Sequence, residues 1–137
     1  MADNKDYGLV AIKAYNLIIK DNKKPRNAWK YASKKVFCNS ESSQNKSCPM
    51  CSFLGSCSEG ILIGVDKSEY TTSVYNKKYA IDALTLIKKD KAKYTNYTSK
   101  ELWEVLTKNY SKKIRHNSQM DVVLALVKNG LINWELV

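Results

Sequence analysis

The stretch Cys48-Pro-Met-Cys-Ser-Phe-Leu-Gly-Ser-Cys-Ser-Glu-Gly60 holds three of the four cysteines and decides the fold class. Met50, Phe53, Leu54, Cys57 and Ile61 recur at helical spacing, so they share one face of a short helix. Cys48 stands where an N-cap belongs. Pro49 suits the first helical position, where a missing N–H costs nothing. Gly60 and Gly64 offer places to stop.

Working outward, the same 3.6-residue pattern returns on both sides. Asn4 or Asp6 can cap a first helix over 7–20, with Val10, Ala11, Ala14, Leu17 and Ile18 on its apolar face. Pro25 opens a second helix with Trp29, Ala32 and Val36 inward. Residues 38–47, 65–75 and 91–97 are polar and read as loops. A fourth helix turns Tyr79, Ala80, Ala83, Leu86 and Ile87 inward. Thr98 with Glu101 forms a capping box for a fifth, which carries Leu102, Trp103 and Leu106. The last helix starts near Asn117 and Ser118 and ends at Gly130; an apolar tail from Leu131 to Val137 must pack on something. Period-2 alternation is scarce. The expectation is an all-α fold of about six helices.

The chain also repeats itself. Val10-Ala-Ile-Lys-Ala-x-x-Leu-Ile matches Tyr79-Ala-Ile-Asp-Ala-x-x-Leu-Ile. Met50, Phe53, Leu54, Cys57, Gly60 and Ile61 match Met120, Val123, Leu124, Val127, Gly130 and Leu131 at nearly the same offset. A third match, Ser33–Ser40 with Ser111–Ser118, lies between them but out of register. The expectation is two related three-helix units, over about 7–64 and 75–132, in one compact domain spanning 1–137.

Length and composition suit a globular domain with a real core. No apolar run reaches the roughly 18 residues of a membrane span. The polar start, Met-Ala-Asp-Asn-Lys-Asp, does not resemble a signal peptide. A cytoplasmic protein with reduced thiols and no membrane partner is expected. The net charge of +10 includes five Lys-Lys pairs spread along the chain, ten of its 23 cationic residues. They read first as a solvated surface and second as a field for an anionic partner.

The repeat sets Cys48 opposite Ser118, each as the N-cap of the third helix of its half. Helix starts bind anions through their free N–H groups. Arg115, His116, Asn117, Ser118, Gln119 and Asp121 form the densest polar segment, with Lys112 and Lys113 just before it. The expected site is a groove between the two helix starts. His116, Asn117 and Gln119 would give specificity there, and Arg115, Lys112 and Lys113 charge. The favoured ligand is an anionic, nucleotide-like small molecule, held without catalysis. One alternative is an enzyme with Cys48 as nucleophile and His116 as base, completed by Asn117, Gln119 or Asp121. Another is a module that binds nucleic acid or protein non-specifically through lysines, since arginines are only Arg26 and Arg115. Cys38, Cys48, Cys51 and Cys57 could in principle hold zinc. Cys57, however, sits on the apolar face and a second Cys-x-x-Cys is missing, so neither metal nor cofactor is expected.

At Cys48-Pro-x3-Phe-Leu-Gly-x-Cys-x-Glu-Gly60, Asn76-Lys-x-Tyr79-Ala80 and His116-Asn-Ser-Gln-Met-Asp-Val-Val123, the chain resembles a family of small uncharacterised proteins from bacteria and their phages. The resemblance covers almost the whole chain. It implies that the positions of Cys38 and Cys51 need not be cysteine, which weakens the zinc reading and favours Cys48 with the His116 segment. By analogy of size and source, it suggests a phage-encoded sponge for nucleotide immune signals.

Overall fold

The computed structural model describes residues 5–112 and 114–137. Lys113 and the Asn4 cap lie outside the described residues. The fold is all-α. Its long helices are α1 (Lys5–Asp21), α2 (Pro25–Val36), α4 (Ser47–Ser58), α5 (Val74–Lys89), α7 (Ser99–Thr107) and α8 (Gln119–Lys128). Single helical turns, α3 (Glu41–Gln44) and α6 (Lys91–Tyr94), interrupt two of the expected loops, each capped by a side chain at its start: Ser40 for α3 and Asp90 for α6. A 3-10 turn at Trp134–Leu136 closes the described chain. Asp6 lies inside α1 rather than ahead of it. No helix of the described residues is long and apolar enough to cross a membrane.

The expected apolar faces are the buried ones. Trp29, Phe53, Leu54, Ile61, Ile87, Leu102 and Met120 are among the most deeply buried side chains. The Thr98–Glu101 capping box forms in full: each side chain accepts the other residue's backbone N–H.

Two boundaries differ from expectation, and both bear on the site. The N-cap of α4 is Lys46, so Cys48 is the second helical residue and Pro49 the third. Proline is tolerated anywhere in the first turn, because no N–H there has an intrahelical acceptor. It therefore marks the turn rather than the residue. At α8, Ser118 is the N-cap but takes a left-handed φ of 66°, and its hydroxyl makes no capping bond.

The two halves interlock. α1 packs on its neighbour α2 and on α8 from the other half; α5 packs on α4. The three-helix units are therefore not separate bodies, and their buried residues join in one core. Matching positions also meet. Leu62 and Ile132 form an antiparallel bridge, in which Ile63 N–H donates to Leu131 O (2.9 Å) and Asn133 N–H to Ile61 O (2.7 Å). Shifting either bond by the repeat produces the other. Gly60 and Gly130 share a φ of +70°, and each N–H reaches back 3.1 Å to the helix before it, to Cys57 O and Val127 O. Positive φ is the conformation glycine adopts without penalty at a helix end.

Candidate functional site

At the opposite end of α4 and α8 from that bridge, the two helix starts border an open groove of about 860 Å³. The start of α5 supplies Tyr75, Asn76 and Tyr79; α4 and its cap supply Cys48 and Lys46. The segment ahead of α8 supplies Lys112, Ile114, Arg115, His116, Asn117, Ser118 and Gln119. Cys48 and every described ligand residue expected from the sequence thus line one cavity.

The segment before α8 is irregular backbone, yet it is held from three sides. Trp103 of α7 donates its indole N–H to Ile114 O (2.9 Å). Ser52 of α4, fully buried, donates its hydroxyl to Gln119 O (3.2 Å). The Gln119 side chain is only 2% exposed: its Oε1 accepts the Asn117 N–H, and its Nε2 donates to Asn76 Oδ1 on α5 (3.3 Å). Asn76 in turn donates to Ser73 Oγ (3.1 Å). Gln119 is therefore a brace behind the groove wall as well as a lining residue.

His116, rather than the expected Ser118, caps α8. Its Nε2 accepts the Met120 N–H (3.1 Å), closing one of the donors that a helix start leaves open. The ring lies against Trp103 at 5.3 Å between centroids. With Nε2 accepting, the neutral ring carries its proton on Nδ1. Desolvation lowers the His116 pKa to about 4, so at neutral pH it offers hydrogen bonds and no charge.

The charge of the groove comes from Lys46, Lys112 and Arg115, and no carboxylate is among its described lining residues. Asp121, expected near this site, instead accepts the Ser99 hydroxyl (2.6 Å) and faces a different cleft beside α1 and α7. The cysteines do not converge. Cys38 is exposed and Cys57 is sealed in the core, where burial pushes its thiol up. Among the described residues, no three His, Cys, Asp or Glu side chains are grouped to hold a metal.

Sequence reasoning missed Lys46, Tyr75 and the contact of Asn76 with Gln119. Asn76 and Tyr79 stand in one of the family motifs, which was a usable signal; Lys46 and Tyr75 carry none.

A family model covers residues 4–133. The chain belongs to DUF6979, a family of unknown function. The match includes both helix starts and the whole described groove. No curated protein and no solved structure matches the chain.

Proposed function

We propose that the protein binds an anionic, nucleotide-like small molecule in the groove between the starts of α4 and α8. The observation that carries this reading is the charge of the lining: Lys46, Lys112 and Arg115, with no carboxylate among the described lining residues. In a concave site such a set attracts anions over several ångströms and then bonds them directly. Tyr75 is 71% exposed at the rim and offers an open ring face to a base. The amides of Asn76 and Asn117 offer donors and acceptors to base or sugar edges. The braced wall supports binding without rearrangement, which lowers the ordering cost. The protein would act by holding its ligand, as a nucleotide sponge does.

The cysteine enzyme is the weaker reading. A base for the Cys48 thiol needs a free imidazole lone pair, and the one on His116 is engaged by the Met120 N–H.

Isothermal calorimetry against nucleoside monophosphates, triphosphates and cyclic dinucleotides tests the binding reading. At least one should bind, more weakly as salt rises. Lys112→Gln with Arg115→Gln should weaken it by roughly tenfold or more, since hydrogen bonds to charged groups each contribute about 1.5–3 kcal/mol. Cys48→Ser should bind nearly as well as the parent. Absence of binding across the panel, or indifference to the double substitution, would sink the proposal.

A further inference from the structure

Residues 13–35, the facing parts of α1 and α2 with their turn, carry eight cationic side chains and one acid, Asp21. That is a net +7 of the chain's +10. The charge that looks dispersed as lysine pairs is thus concentrated on one helical hairpin. The ion pairs among the described residues, Lys77–Glu59 and Lys78–Asp82, lie elsewhere.

The hairpin does more than display charge. Between its helices runs a second groove, of about 400 Å³, which shares no lining residue with the first. Lys13 and Lys20 stand two turns apart on the α1 wall, and Lys35 stands on the α2 wall. Tyr31 lines the same groove and is 47% exposed. Its ring is flanked by Lys23 Nζ at 5.2 Å and Lys35 Nζ at 5.5 Å from the centroid. The two ammonium groups hold the ring by cation–π attraction, with Asp21 as the one acid among the described lining residues, and nearly half of the ring stays open to water.

We infer that this hairpin groove binds single-stranded nucleic acid, with lysines on phosphates and Tyr31 stacked on a base. Ammonium groups act as point charges, which suit a phosphate backbone followed without fixed bidentate geometry. The one arginine of the hairpin is turned away: Arg26 reaches Met50 Sδ and Tyr70 O. An exposed ring beside a cationic track suits unpaired bases, which present a face for stacking, better than a duplex, whose bases are already stacked.

The test is fluorescence anisotropy of the full chain with labelled dT12 over a range of salt. The expected result is binding whose log–log salt slope falls by about 1.4 in Lys20→Gln with Lys35→Gln, since each phosphate contact on a single strand contributes about 0.7. Tyr31→Ala should weaken binding roughly fivefold or more with the slope nearly kept. All three side chains are exposed, so the variants should fold, and thermal melts check that they do. The inference is overturned by equal affinity for a duplex of the same length. It is overturned too if Lys112→Gln with Arg115→Gln abolishes oligonucleotide binding while the hairpin variants do not. Binding to phosphatidylserine vesicles without binding to dT12 would assign the patch to a membrane surface and likewise overturn it.

Discussion

His116 accepts the Met120 N–H while its ring lies against Trp103, and the accepting nitrogen must be unprotonated. Its folded pKa of about 4 lies below the 6.5 of an unperturbed histidine. Between these values the unfolded chain takes up a proton that the folded chain refuses. This group therefore costs no stability above about pH 6.5, and stability falls as the pH drops from there towards 4. Because the ring is only partly buried, the effect should be about 1–2 kcal/mol rather than the full shift. Urea unfolding of the parent and of His116→Gln at pH 7 and pH 4.5 checks this: the parent should lose more than the variant. An imidazole that titrates near 6.5 by NMR contradicts it. Gln119 makes a second prediction at this scale. Gln119→Ala frees the Asn117 N–H and Asn76 Oδ1 inside the wall, so it should cost about 1–3 kcal/mol of stability as well as affinity. A variant melting with the parent would mean that the brace is unimportant.

The helices depend on close crossings at matched places. On α1, a Cβ at Gly8 would sit 3.0 Å from Ala125 Cβ of α8. On α4, a Cβ at Gly55 would sit 2.7 Å from Lys77 Cα of α5. Gly55 matches Ala125 in the repeat, and both crossings join the first helix of one half to the last long helix of the other. The common origin of the halves is our proposal from these matches. Alanine ordinarily gains about 1 kcal/mol over glycine inside a helix. At Gly55 that gain should be outweighed, because the obstacle is backbone and cannot swing aside. Gly55→Ala is expected to destabilise by about 1–3 kcal/mol, and more than Gly8→Ala, whose nearest neighbour is a side-chain methyl. Thermal melts of both variants decide the order.

Helices of each half pack on the other half, so the molecule is expected to unfold as one cooperative unit. Neither half retains its buried face if the other unfolds, since α1 leaves α8 and α5 leaves α4 together. Calorimetry should give one transition with equal calorimetric and van't Hoff enthalpies. Two resolved transitions would mean that the halves fold separately. Charge is also organised at this scale. The groove at the helix starts and the α1–α2 hairpin are both cationic, and they share no lining residue.

Helical periodicity alone determined the all-α class and the buried faces, because apolar burial imposes its own spacing on a helix. Local chemistry determined the Thr98 capping box, since both partners lie within four residues. The polar cluster Arg115–Gln119 was legible as a candidate site for the same reason: its members are neighbours in the chain. The start of α4 lies two residues ahead of where the sequence places it, because proline is allowed throughout a first turn. Only the tertiary structure decided which side chain caps α8. His116 wins over Ser118 because Trp103, far away in sequence, supports its ring, while Ser118 takes up the left-handed bend. The tertiary structure also brought Lys46, Tyr75 and Asn76 to the site, through the packing of α5 against α4. Contacts between elements depend on how faces fit against one another, and spacing along one chain segment carries no record of that fit.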